Sequence, residues 1–314
     1  MRRALITGIT GQDGAYLARF LREQGYEVFG GCRRNAQPNK WRLAKLGIED
    51  EVEFVPLDLL EYENVKRTID RINPDEIYNL AAQSFVGDSF ELPLYTVDVN
   101  GLGVLRLLEA IRDRKDIRLY QASTSEMFGN EPSPQSERTR FVPRSPYGCG
   151  KLLAHTLCGN YRESYGSRIS CGILFNHESP LRGEEFVTQK IANDIWTGKL
   201  NLGNLDAKRD WGHAKDYVRA MWMMLQVEPS DFVIATGTAR TVREFVDAAA
   251  GVVGMLPEIT IDPSFYRPTE VDHLEGDPSK AKEVLGWEPK YDFNSLVREM
   301  VLNAGHEDFY EEGV

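Results

Sequence analysis

From its first residues the chain alternates short apolar runs with stretches whose apolar positions recur every three to four residues. ALITG (4–8) has the length of a strand, and YLARFLREQG (16–25) carries helical spacing. YEVFGG (26–31) predicts the next strand, and WRLAKLG predicts a short helix. VEFVPLDL (52–59) predicts a third strand, ENVKRTIDRI a helix and EIYNLAA (76–82) a fourth strand. TVDVNGLGVLRLLEAIRD (96–113) predicts one long helix leading into a strand over IRLYQAST. Alternation of this kind predicts an α/β, Rossmann-type doubly wound parallel sheet, because right-handed crossovers lay each helix over a face of the sheet.

Beyond about residue 175 the pattern changes. NHESPLRGEEFVTQKI predicts a loop and then a helix, LNLGN a short strand, and HAKDYVRAMWMMLQ a helix. DFVIATG (231–237) predicts a further strand of the main sheet. The expected organisation is a Rossmann domain over 1–175, with 231–250 returning to its sheet. A smaller interleaved C-terminal lobe, mostly for substrate, covers 176–314.

Composition narrows the partners. A net charge of -11 over 314 residues argues against nucleic acid or an anionic membrane as a general partner. Four cysteines, Cys32, Cys149, Cys158 and Cys171, form no CxxC pair, so neither a metal nor a disulfide is expected. The opening MRRALITGITG runs directly into a strand and a glycine turn, and no apolar run has the length of a membrane span. A cytoplasmic protein is expected.

The first strand ends in TGITGQDGAYL, with Gly8, Gly11 and Gly14 in GxxGxxG spacing before a helix. Glycines there let backbone N–H groups approach a pyrophosphate at a helix N-terminus, so Thr10, Gln12 and Asp13 join the candidate dinucleotide site. The second strand ends in CRRN. An acidic residue at that point suits NAD, whereas Arg33 and Arg34 suit the extra phosphate of NADP; the alternative is a solvated arginine pair. Asp58 and Leu59 after the third strand are candidates for the adenine edge. Leu80, Ala81 and Ala82 after the fourth are candidates for the cofactor channel, with Ser84 and Tyr95 beyond them.

SPYGCGKLLAH places Tyr147 and Lys151 four residues apart, on one face of a helix. An ammonium beside a phenol is expected to lower the phenol pKa and make it a base near neutrality. Upstream, QASTSEMFG presents Thr124 and Glu126 at a strand exit. Two residues apart on an extended chain, they are expected to face the same side. The alternative for Glu126 is a solvated turn residue.

These residues resemble the extended short-chain dehydrogenase/reductases, whose triad is Ser or Thr, Tyr and Lys. TGITGQDG, NLAAQSFVGDSFE, YQASTSEMFG, PRSPYGCGK, NYRESYG, GILFNHESPLRGEEFVTQK, RDWGHAKDYV, DFVIATG and FYRPTEVD together are similar to the GDP-mannose 4,6-dehydratase family, over essentially the whole chain. The resemblance implies Thr124, Glu126, Tyr147 and Lys151 as catalytic residues in an internal redox reaction on GDP-mannose with bound NADP. Tyr147 takes the proton from the hydroxyl on hexose carbon four as hydride passes to NADP+. Glu126 then removes the proton on carbon five, water leaves carbon six, and hydride returns to carbon six. The resemblance further implies Ser84, Asn176, Lys190, Arg209, Arg267 and Glu270 on the GDP-sugar, and His177 and Arg182 near the nicotinamide and phosphates. It implies a homodimer or homotetramer as well. Where the family usually shows serines after the arginine pair this chain has Asn35 and Ala36, which puts that loop's part in tetramer assembly in doubt. His155, His213, His273 and His306 are expected to be ordinary, and Cys149 to serve small-residue packing. The rival functions are a GDP-4-keto-6-deoxymannose reductase, which needs no Glu126, and a non-catalytic NADP-sensing protein.

Overall fold

A computed structural model describes residues 1–33, 39–266 and 268–305. Strands β1 (Arg3–Thr7), β2 (Glu27–Cys32), β3 (Glu53–Pro56), β4 (Glu76–Asn79), β5 (Arg118–Thr124) and β6 (Arg168–Leu174) lie parallel in one sheet. The helices between them are α1 (Gln12–Glu23), α2 (Trp41–Lys45), α3 (Tyr62–Ile72), α4 (Asp88–Glu91), α5 (Pro93–Val97), α6 (Gly103–Ile111) and α7 (Pro146–Tyr165). Then follow β7 (Asn176–Glu178), α8 (Val187–Asp194), β8 (Lys199–Leu202), β9 (Lys208–His213), α9 (Ala214–Met224) and β10 (Asp231–Ile234). The chain closes with β11 (Ala239–Thr241), α10 (Val242–Val253), β12 (Glu258–Ile261), β13 (His273–Leu274) and α11 (Phe293–Gly305).

Among the described residues the main sheet runs β10-β6-β5-β4-β1-β2-β3. β10 joins it in parallel beside β6 over Asp231–Ile234, whereas β11, inside the 231–250 span expected to return, pairs in a second sheet. The strands are buried on both faces, which is why their sequences read as continuous apolar runs. Ala4 and Ile6 of β1 pack with α1 and α9, while Leu5 packs on the other face with α3, α6 and α7. β7, β9, β11 and β13 form a second small sheet, and β8 pairs with β12. A separate apolar cluster of Ile191, Trp211, Phe245, Val297 and Met300 lies beneath these elements. No described helix is long and apolar enough to cross a membrane.

Three elements differ from the sequence pattern. The helix expected over 96–113 is interrupted by a π turn at Asp98–Leu102. There Asn100 accepts a hydrogen bond from Gln83 N (2.9 Å) and donates one to Gln83 O (2.8 Å). A distant loop residue thus competes with the regular helical register. The third strand pairs only over Glu53–Pro56, because the chain turns at Asp58, whose carboxylate accepts from Leu60 N (3.0 Å). The start of NHESPLRG, expected as loop, is the short strand β7 paired in parallel with β9.

Candidate active site

The glycine turn is built by close approach. Gly8 has φ of 68°, and a Cβ there would stand 2.8 Å from Ala81 N. At Gly14 a Cβ would stand 2.4 Å from Gly8 O. Gly11 is the N-cap of α1 and supplies no side-chain cap, so the first-turn amides are left for an anionic ligand. Arg42, which sequence reasoning passed over, braces this turn: its guanidinium donates to Thr10 O (3.1 Å) and to Leu181 O (2.7 Å). Its signal was weak, an arginine in a short helix with nothing in its neighbours to mark it.

The turn opens into a cleft lined by Gly8, Thr10, Gly11, Cys32, Arg33, Asp58, Leu59, Leu80, Ala81, Ala82, Ser84 and Tyr95. Arg33 donates to the Tyr95 hydroxyl at 2.7 Å. Arg34, Asn35 and Ala36 lie outside the described residues. A glycine turn closed to a Cβ at Gly8 and Gly14, an uncapped helix start and an arginine just after β2 fit a dinucleotide.

The cleft continues into a second section lined by Gln12, Asp13, Gly14, Ser84, Thr124, Glu126, Tyr147, Lys151, Asn176, His177, Arg182 and Arg209. Helix α7 starts sharply: Ser145 accepts from Gly148 N (3.0 Å) and Pro146 occupies the first position. This places Tyr147 in the first turn, with its phenol beside the Thr124 hydroxyl. Thr124 and Glu126 both reach the cleft, but not as alternate residues of an extended chain. β5 ends at Thr124, and Ser125–Met127 form a 3-10 turn in which Thr124 Oγ1 accepts from Glu126 N (3.3 Å). The threonine hydroxyl caps the turn that presents the carboxylate.

The electrostatics of the Tyr147–Lys151 pair also differ from expectation. Burial pushes the Tyr147 phenol up to about 12, against a smaller downward pull from the Thr124 hydroxyl; the nearby Glu126 charge raises it further. Burial pulls Lys151 down to about 8. The ammonium donates to Ala122 O (2.9 Å) and stands 5.8 Å from the centre of the Tyr147 ring. Desolvation of both groups therefore outweighs their mutual effect.

His177 is fixed at both ring nitrogens, by Phe175 O (2.8 Å) and by Asp13 (2.8 Å), and stacks on Tyr217 with ring centres 4.4 Å apart. Burial alone would lower its pKa; the Asp13 charge overcomes that and raises it. Asp13 is itself lowered, since His177 outweighs the burial penalty. Arg182 pairs with Glu178 (3.0 Å) and lies 3.5 Å above the Phe186 ring, which also lines the cleft. Phe186 was not a sequence candidate; a lone aromatic in the polar stretch RGEEF was the available signal.

Of the candidates for the sugar nucleotide, Asn176 and Arg209 line the cleft, the latter buried on β9. Lys190 lies one turn into α8, its ammonium 3.8 Å above the Phe265 ring, and does not line either section. Nor does Glu270, whose backbone oxygen accepts from Asn130. Arg267 and His306 lie outside the described residues. His155, expected to be ordinary, bonds Ser123 Oγ (3.0 Å) and lies with Cys171 and Asp231 in one cluster within 4.8 Å. Asp231 is already engaged by two bonds from Arg162, at 2.7 and 2.8 Å.

Residues 5–300 match a family model described as GDP-mannose 4,6 dehydratase. GDP-mannose 4,6 dehydratase 1 of Arabidopsis thaliana is 52% identical over 95% of this chain and 88% of its own. The human GDP-mannose 4,6 dehydratase is 50% identical over 95% of this chain and 90% of its own. Among solved structures, UDP-glucose 4-epimerase of Thermus thermophilus in complex with NAD superimposes with a TM-score of 0.87 at 26% identity. That match covers 96% of this chain and 99% of the epimerase.

Proposed function

Because the chain belongs to the GDP-mannose 4,6-dehydratase family, we propose that it converts GDP-mannose to GDP-4-keto-6-deoxymannose with loss of water. It is an enzyme of the hydro-lyase type in this reading. The observation that carries it is the meeting of Glu126 and Tyr147 in one section of the cleft, close enough for the carboxylate to raise the phenol's pKa. A plain dehydrogenase needs one base. Elimination needs a second acid/base placed across the sugar.

A bound nicotinamide supplies the hydride acceptor and donor for such a reaction. The chain's own residues handle protons and position. Tyr147, oriented by Thr124, takes the proton from the hydroxyl on hexose carbon four. Lys151 holds a positive charge beside the developing tyrosinate. Glu126 takes the proton on carbon five, which the neighbouring ketone has made acidic, and with Tyr147 returns a proton to the hydroxyl leaving carbon six. Arg209 and Asn176 reach the sugar nucleotide from the cleft wall, and Lys190, Arg267 and Glu270 are its further contacts in this reading. Ser84 contacts both cofactor and sugar, while His177 and Arg182 support the nicotinamide and its phosphates.

Purified protein given NADP+ and GDP-mannose is expected to yield a sugar nucleotide lighter by one water, with no net change at the reduced-nicotinamide absorbance band. Net production of reduced cofactor without loss of water would overturn the reading.

NADP is the proposed cofactor because Arg33, directly after β2, lines the cleft where NAD sites place an acid. A charged hydrogen bond is worth about 1.5–3 kcal/mol. Arg33→Ala is therefore expected to weaken NADP+ binding by roughly tenfold or more while leaving NAD+ unchanged, measured by fluorescence titration of both cofactors. Equal weakening of both would remove the phosphate role. A homodimer or homotetramer accompanies this reading. Exposed Leu94, Leu102 and Leu153 on neighbouring helical segments support self-association.

A further inference from the structure

Three buried polar side chains form a single file between the glycine turn and Lys151. Leu80 N and Ala81 N both donate to Thr7 Oγ1, at 3.1 and 3.0 Å. With the hydroxyl's lone pairs occupied, its own proton goes to Asn79 Oδ1 at 2.7 Å. Asn79 then turns its amide nitrogen to Gln121 Oε1, again at 2.7 Å. Gln121 has only N–H left to offer, and its Nε2 donates to Ala122 O at 2.9 Å. The same oxygen accepts from Lys151 Nζ at 2.9 Å. The direction of every bond in the file follows from the two backbone amides that begin it.

Thr7, Asn79 and Gln121 are at most 1% exposed. They come from three strands adjacent in the sheet, and β4 pairs with β5 only as far as Asn79 opposite Gln121. Beyond that point Ala122 O is met by side chains. Apolar residues would fill the same space without the cost of burying amides, so a complete polar file indicates a requirement at its end.

We propose that Gln121 is a positioning residue: by donating to Ala122 O it shares the acceptor that holds Lys151, and so sets where the ammonium stands relative to Tyr147. The proposal rests on Lys151 acting with Tyr147, as in the function above. The groups facing the ammonium are Tyr147, one turn back on α7, and Asp13 from the first turn of α1. Glu126, Arg182 and Asp13 also act on Tyr147.

Two variants test it. Gln121→Glu keeps an acceptor for Asn79 and sets a carboxylate within about 6 Å of the ammonium, the range over which an opposite charge favours the charged form. Gln121→Met keeps the length and removes both polar ends. Labelling of Lys151 by acetic anhydride across pH, read by mass spectrometry on the protein without substrate, is expected to show half-reaction near 8 for the native chain. In Gln121→Glu that midpoint is expected to rise by about one pH unit, and the break in the pH profile of kcat/KM to rise with it. Gln121→Met, which leaves Ala122 O to Lys151 alone, is expected to shift both in the same direction by less. Variants that lose only thermal stability, with midpoint and break unmoved, would overturn the proposal. If the native protein failed to dehydrate GDP-mannose, the functional reading would fall while the labelling result still stood or fell by itself.

Discussion

Exchanging Glu126 for glutamine is expected to slow water elimination by about 10²–10⁴-fold, the usual contribution of a positioned acid/base, with NADP+ binding unchanged. Glutamine keeps the size of the side chain and its place in the 3-10 turn, because the turn is capped by Thr124 through the backbone N–H of residue 126. What it loses is the capacity to take a proton. The sharper readout is exchange at hexose carbon five. In deuterated water the native protein is expected to place deuterium there during turnover, and the glutamine variant is not. Full turnover by the variant, or unchanged deuterium incorporation, would assign the proton on carbon five to another group. A drop in NADP+ affinity alongside the lost rate would indicate collapse of the turn instead.

The alternation of the sheet was legible because burial on both faces writes itself into contiguous apolar runs such as ALITG and IRLYQAST. The glycine turn was legible for a related reason: contacts closed to a Cβ leave only one residue type. Features that depend on partners distant in sequence were not. The π turn at Asp98–Leu102 depends on Gln83 meeting Asn100 across a loop. The file of Thr7, Asn79 and Gln121 exists because β1, β4 and β5 are neighbours in the sheet, an order that linear spacing does not contain. Strand periodicity gave the right meeting of Thr124 and Glu126 by the wrong geometry, since the chain leaves the extended form at Ser125, before it reaches Glu126. The charge state of Tyr147 and Lys151 was least accessible, being set by burial rather than by their four-residue separation.

That burial gives the second large effect its form. With Tyr147 pushed up to about 12 and Lys151 pulled down to about 8, the resting pair at neutrality is a phenol beside an ammonium. The reactive pair, tyrosinate beside ammonium, carries one proton fewer. Its population rises as pH increases until the pair has lost its first proton, near 8 where Lys151 titrates, and stays level above that because phenol with neutral amine holds the same number of protons. For the free enzyme, kcat/KM is therefore expected to climb about tenfold per pH unit below the break and to flatten beyond it. Tyr147→Phe removes the group that accepts the proton and is expected to cost about 10²–10⁴-fold, with the break abolished. Phenylalanine fills the same buried space and leaves Lys151 on Ala122 O, so folding and cofactor binding provide the control. Residual activity within tenfold of native that still broke near pH 8 would show that Lys151 titrates in the mechanism without Tyr147, and would take the base role from the tyrosine.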